Sequence, residues 1–176
     1  NPVTGKTELY NGTNWTEVNN LNTSRRGAGV DAADSTAAIA FGGEQSPSAW
    51  YANTELWNGT NWTEVNDLTV GRVSIVGHAG TSTAGLAIGG NATPTPVNSK
   101  LTESWNGTNW TEVNDLNSSK SGTGGGWGTS TAALATGDDA YGTETESWNG
   151  SNWTEVNDYN TGRIEGGAGG NASAGL

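Results

Sequence analysis

An all-β architecture built from four copies of a short-stranded unit is the fold this sequence predicts, and three observations predict it. The pentapeptide NGTNW stands at residues 11–15, 58–62 and 106–110, and recurs as NGSNW at 149–153. Each of the first three copies is followed by small apolar residues running into glycine: AAIAFGG to Gly43, AGLAIGG to Gly90 and AALATGD to Asp138. No window shows sustained helical periodicity, and the abundant Asn, Gly and Thr disfavour helix.

The spacing is regular. Successive motif asparagines, Asn11, Asn58, Asn106 and Asn149, lie 47, 48 and 43 positions apart. From the motif tryptophan to the first residue of the glycine pair the separation is 27 each time: Trp15 to Gly42, Trp62 to Gly89, Trp110 to Gly137. From there to the glutamate of the next Thr-Glu pair it varies, being 13 to Glu55, 14 to Glu103 and 9 to Glu146. All the length variation therefore falls in one loop per repeat. A period of this length identifies a repeat architecture.

Within the stretch 72–114, RVSIVGHA reads as a first strand and TAGLAIGG as a second, small and apolar. The proline-containing NATPTPVNSK that follows cannot be a central strand. LTESW and NWTEV make the third and fourth strands around Asn-Gly, a dipeptide that predicts a tight hairpin of type I′ because that turn needs positive φ at both central positions. Four strands every 43 to 48 residues is the pattern of a β-propeller blade. The chain reads as one domain over residues 1–176. Blades cover about 23–67, 70–115 and 118–158, and a fourth is split between 162–176 and 1–19.

Composition agrees with such a fold and removes several functions. The 176 residues can bury a real core. Hydrophobic residues make up only 32%, so that core must draw on the 28 glycines, on alanine and on nine tryptophans. Cysteine and methionine are both absent, which excludes disulfides, thiolate metal sites and a cysteine nucleophile. No apolar run is long enough to insert in a membrane as a helix. The net charge of −11, from 18 acidic and 7 basic residues, argues against nucleic acid or an anionic membrane as partner. The Asn1-Pro2-Val3-Thr4 start is not a signal peptide, and the missing initiator methionine suggests an excerpt or a processed chain.

The repeat resembles the kelch family. The matching features are the glycine pairs (Gly42-Gly43, Gly89-Gly90), the aromatic ending the third strand (Tyr10, Trp57, Trp105, Trp148) and the tryptophan opening the fourth (Trp15, Trp62, Trp110, Trp153). The basic residue before the next first strand (Arg25, Arg72, Lys120, Arg163) completes the set. The resemblance covers essentially the whole chain. It departs in the third repeat, where Gly137-Asp138 replaces the glycine pair and Lys120 replaces arginine, and its aromatic-to-tryptophan spacing is short. The Asn-rich wording WNGTNWTEVNDL is also similar to kelch-type repeats of marine phages and bacteria. The resemblance implies a kelch-type propeller. Kelch-type copper oxidases need a cysteine and more than one histidine, which this chain lacks.

Structural roles are expected for Trp15, Trp62, Trp110 and Trp153, whose large rings suit packing between neighbouring sheets. Arg25, Arg72, Lys120 and Arg163 are expected to hold the connections between blades, bonding carbonyls or carboxylates such as Asp67 and Asp115. The Arg72→Ala substitution is then expected to cost about 1–3 kcal/mol if the site is buried. The repeated glutamates (Glu8, Glu55, Glu103, Glu146 and Glu17, Glu64, Glu112, Glu155) read as a solvated β-edge, since a hard-cation site needs six or more converging oxygens. His78, the only histidine, reads as structural or channel-lining on a first strand. The overlapping Asn-Gly-Thr and Asn-Trp-Thr sequons are incidental unless the host glycosylates secreted chains. No spacing points to catalysis, and a non-enzymatic protein with no metal and no cofactor is expected.

Variable loops on a constant scaffold are the usual place for binding. Trp50, Tyr51 and Tyr141 break the repeat, and beside Glu44, Gln45, Asn91, Asn98, Asp138 and Asp139 they suit a carbohydrate surface, with rings for C–H faces and amides or carboxylates for hydroxyls. An equally weighted alternative has Trp50 and Tyr51 capping a long loop against the sheet. Two function classes follow: a module binding glycan or a surface receptor in an extracellular or virion setting, or a spacer or assembly unit of a fibre or tail. Three closures are open: a four-bladed ring from one chain, an eight-bladed ring from a homodimer sharing blades, or a ring completed by more repeats of a larger native chain. The last two are favoured, because near-identical repeats make exchange of halves between chains cheap.

Overall fold

A computed structural model describes residues 3–46, 49–75, 77–92, 97–121, 125–137, 142–162 and 170–175. These residues form strands, turns and bends with no helix. β1 (Thr7–Tyr10) and β2 (Trp15–Val18) form an antiparallel hairpin. The first four-stranded sheet starts with β3 (Gly29–Asp34) and β4 (Ala37–Phe41). A side hairpin of β5 (Glu44–Ser46) and β6 (Ala49–Trp50) intervenes before β7 (Thr54–Trp57) and β8 (Trp62–Val65) complete the sheet in the order β3-β4-β7-β8.

The second unit opens with the short β9 (Arg72–Val73). It continues with β10 (Gly77–Thr81), β11 (Ala84–Ile88), the side hairpin β12 (Asn91–Ala92) and β13 (Val97–Asn98), then β14 (Thr102–Trp105) and β15 (Trp110–Glu112), in the sheet order β10-β11-β14-β15. The third sheet is β16 (Gly125–Thr129), β17 (Ala132–Thr136), β18 (Thr145–Trp148) and β19 (Trp153–Val156). A last hairpin joins β20 (Gly170–Asn171) and β21 (Ala174–Gly175). Every pairing within the three sheets is antiparallel between consecutive strands, the meander that short strands and tight turns produce.

The protein is thus all-β, with several four-stranded antiparallel sheets. The first strands β3, β10, β16 and β20 adjoin one another in that order, so the sheets stand in a row, each stacked on the next. Stacking sets the core. Ile39, Phe41, Leu68, Ile75, Ala87, Trp105 and Trp110 meet between the first and second sheets. Ala79, Leu86, Ile88, Leu116, Ala133, Ala135, Trp148 and Trp153 meet between the second and third. Because β11 lies between two neighbouring sheets, Gly85 through Ile88 are buried on both faces, which explains why its residues are small and apolar without alternation. Among the described residues the row is not closed: β1–β2 and β20–β21 stand as separate two-stranded sheets with no pairing between them.

Two local expectations are corrected. RVSIVGHA is not one strand. Arg72 and Val73 pair with Ala92 and Asn91 of the side hairpin, Ser74 takes a left-handed φ of 53°, and the inner strand starts only at Gly77. The chain must turn here because the Arg72 side chain points into the sheet interior, at 0% exposure. The Asn-Gly turns are not type I′ either. Trp57 and Trp62 face each other with ring centroids 5.5 Å apart, leaving a four-residue loop in which glycine alone has positive φ, 89° at Gly59. Asn58 closes that loop: its Oδ1 accepts from the backbone N–H of Thr60 and Asn61 at 3.0 and 2.9 Å. Asn11, Asn106 and Asn149 do the same in their repeats.

Candidate functional site: the sheet junctions and the variable hairpins

Each junction between neighbouring sheets is held by one recurring set of polar contacts. The fourth-strand tryptophan reaches back to the third strand of the preceding sheet. The indole Nε1–H of Trp62 donates to Thr7 Oγ1 at 2.9 Å, that of Trp110 to Thr54 Oγ1 at 2.9 Å and that of Trp153 to Thr102 Oγ1 at 3.0 Å. An asparagine after the fourth strand reaches forward. Asn19, Asn66 and Asn114 each donate from Nδ2 to a backbone carbonyl and to an asparagine Oδ1 in the next sheet's turn, at 3.0 and 2.8 Å. These contacts make the large rings dual-purpose: apolar area between sheets and a fixed donor that sets their relative position.

The third recurring contact is a buried ion pair. Arg25 Nη2 donates to Glu55 Oε1 at 2.7 Å while its Nη1 donates to the carbonyls of Gly42 and Asn53. Arg72 repeats this with Glu103 Oε1 at 2.8 Å and the carbonyls of Gly89 and Leu101. All four side chains are 1% exposed or less. The glutamates also accept from the connection itself: Asn22 and Thr23 N–H on Glu55, Thr69 N–H on Glu103, Asn117 and Ser118 N–H on Glu146. Burial pulls the Arg72 guanidinium below its ordinary pKa, and the Glu103 carboxylate opposes that.

The solvated-edge reading of the glutamates is therefore half corrected. Glu17, Glu64, Glu112 and Glu155 are exposed on fourth strands, and so is Glu8, but Glu55, Glu103 and Glu146 are buried on third strands. The third strand is flanked on both edges and covered by the neighbouring connection, so its glutamate has no route to water. The carboxylate that meets Arg72 is Glu103, not Asp67 or Asp115; Asp67 instead accepts from Thr54 N–H at 3.2 Å. Sequence reasoning missed these glutamates and the threonines Thr7, Thr54 and Thr102. The usable signal was the shared period of one basic and one acidic residue per repeat.

The third junction differs. Lys120 is fully buried, yet its Nζ stands 3.8 Å from Glu146 and donates to Ser118 Oγ at 3.0 Å. A cavity of about 110 Å³ lies at this junction, lined by Asn117, Ser118, Glu144, Glu146 and Glu155. An ammonium has three donors and no fork, so it cannot span the carboxylate and two carbonyls as arginine does.

The glycine pair is tied to the same connections. Gly43 N–H donates to Arg72 O at 2.7 Å, and Gly90 N–H to Lys120 O at 2.9 Å. Gly42 has a φ of 67°, and a Cβ there would stand 2.7 Å from Arg72 O. Only glycine allows the second strand to end against the next connection so closely.

The variable loops fold as side hairpins. On β5–β6, Glu44 pairs with Trp50, and Glu44 also forms an ion pair with Arg26 at 2.8 Å. Tyr51 is half-buried, its O–H donates to Gln45 Oε1 at 3.1 Å, and its ring lies under the Arg25 guanidinium at 5.9 Å. Trp50 is half-buried as well, with its Nε1 buried and unpaired. Asn91 and Asn98 pair across β12–β13, both half-buried, and Asn91 Oδ1 is buried without a partner. The structure thus gathers Glu44, Gln45, Trp50 and Tyr51 on one hairpin and Asn91 and Asn98 on another. Among the described residues no hydrogen bond links the two groups. Asp138, Asp139, Tyr141 and Arg163 lie outside the described residues.

His78 Nδ1 stands 3.0 Å from Asp31 Oδ1, linking the first strands of two adjacent sheets, with its side chain 46% exposed. Among the described residues no group of three or more His, Asp or Glu is placed to hold a metal ion. No family model and no curated protein matches the chain.

Proposed function

We propose that the chain is a non-enzymatic binding module of the kelch-propeller type, recognising a glycan or a surface receptor through the side hairpins β5–β6 and β12–β13 in an extracellular or virion setting. One observation carries the reading. These hairpins are where the repeats diverge, and they carry the half-buried Trp50 and Tyr51 with Glu44 and Gln45 on one and Asn91 with Asn98 on the other. Loops that vary on a constant scaffold are the usual place for binding, and rings beside amides and carboxylates suit the C–H faces and hydroxyls of a sugar. The kelch assignment is supported by the glycine pairs closing second strands against the next connection and by the buried Arg25 and Arg72.

The test is a glycan array probed with the wild-type protein and with Trp50→Ala. Binding of at least one glycan class, lost in the variant while the far-UV spectrum is unchanged, is the expected result. Binding that survives Trp50→Ala but fails in Trp62→Ala would move the platform to the repeated tryptophans and overturn the assignment. A second reading, an assembly unit, is favoured by the exposure of Tyr10 and Trp15, 50% and 66%, against 6% for Trp110 and Trp153.

A further inference from the structure

The junction contacts have two halves, and the row of sheets leaves one half open at each end. At every internal junction one side offers a third-strand threonine and a forward-reaching asparagine; the other offers a fourth-strand tryptophan, a turn and a buried glutamate. The third sheet holds the first half without its complement. Thr145 is 7% exposed and aligns with Thr7, Thr54 and Thr102; Asn157 is exposed and aligns with Asn19, Asn66 and Asn114. The β1–β2 hairpin holds the second half. Its Trp15 is 66% exposed, its Glu8 is exposed where Glu55, Glu103 and Glu146 are buried, and its turn residues Thr13 and Asn14 match those gripped by asparagine elsewhere.

We propose that this hairpin face docks onto the third sheet of a second copy of the chain, head to tail and reciprocally, reproducing the internal junction. In that arrangement Trp15 Nε1–H donates to Thr145 Oγ1 of the other copy. Asn157 Nδ2 grips Thr13 O and Asn14 Oδ1, and the connection beginning at Asn160 covers Glu8. The unpaired edge of β21 then meets β1 with Gly175 opposite Tyr10, the register seen for Gly85 opposite Trp105 and Ala133 opposite Trp148. The occupant is committed by continuity: three internal junctions already use this set, and a second copy of this chain presents both exposed halves at the same spacing. Two reciprocal contacts close on a two-fold axis and give β1 and β21 a partner strand.

Sedimentation equilibrium on the 18.0 kDa chain tests this, with Trp15→Ser on one face and Asn157→Arg on the other. Both residues are exposed, so neither change should unfold the chain, and far-UV circular dichroism checks that. The expected result is twice the chain mass for the wild type, with association weakened about thirtyfold or more in Trp15→Ser, the effect of losing a buried aromatic anchor. A monomeric wild type overturns the proposal, whether its ends close on each other or stay open. So does a series of larger multiples, or a dimer indifferent to both variants. Glycan binding by a monomer would leave the proposed function standing while this inference fails, so the two are separable.

Discussion

Arg72→Ala is the sharpest test of the junction. Wild-type Arg72 donates from Nη2 to Glu103 at 2.8 Å and from Nη1 to the carbonyls of Gly89 and Leu101, at 0% exposure. Truncation leaves Glu103 charged and 1% exposed, with Thr69 N–H as its remaining donor. Leu101 O keeps the N–H of Gly89, but Gly89 O loses its guanidinium donor. Removing one partner of a buried ion pair costs about 3–5 kcal/mol, because the other charge is stranded. That exceeds the 1–3 kcal/mol expected from hydrogen bonds alone, and at this chain length it lowers Tm by about 6–20 °C. Urea unfolding followed by tryptophan fluorescence reads the loss directly as a shift in midpoint at constant slope. The paired variant Arg72→Met with Glu103→Leu removes the stranded charge and should recover more than half of the loss, incompletely because Thr69 N–H then lacks its acceptor. A single-variant cost below about 1 kcal/mol, or strictly additive losses in the pair, would refute the buried-charge argument.

The remaining predictions concern the other two elements of the junction. Lys120→Arg should stabilise the protein by about 1 kcal/mol, since a guanidinium can fork onto Glu146 where Lys120 Nζ stops 3.8 Å short; an unchanged or lower Tm would show that the third junction is shaped around lysine. Trp110→Phe retains a ring against Phe41, 4.8 Å away in the wild type, but removes the donor to Thr54 Oγ1. It should cost about 1 kcal/mol through that bond, and a double-mutant cycle with Thr54→Val should show coupling of about 0.5–1.5 kcal/mol. No coupling would mean that the indole N–H contributes nothing to sheet stacking.

Much of this molecule is legible one repeat at a time. The period, the small second strand, the glycine pair at positive φ and the single variable loop follow from residues that interact within a few positions of each other. The wording WNGTNW already contains its turn, although the pairing of Trp57 with Trp62 makes it a four-residue loop closed by Asn58 rather than a type I′ turn. Contacts between repeats were not legible. Two Thr-Glu pairs per repeat look alike in sequence, yet Glu55 on a flanked third strand is buried and Glu64 on a fourth strand is exposed. Arg25 finds Glu55 30 positions away, across a junction whose geometry no local window encodes. For the same reason Trp15 and Trp153 carry the same motif but differ tenfold in exposure. Local pattern determined the repeat, its second, third and fourth strands and their order, because backbone sterics and turn chemistry act over a few residues. The break after Arg72 and the side hairpins lay outside that pattern and came with contacts between distant segments. Only the stacking of one sheet on the next decided which charges are buried, because burial belongs to the pair of surfaces and not to either sequence.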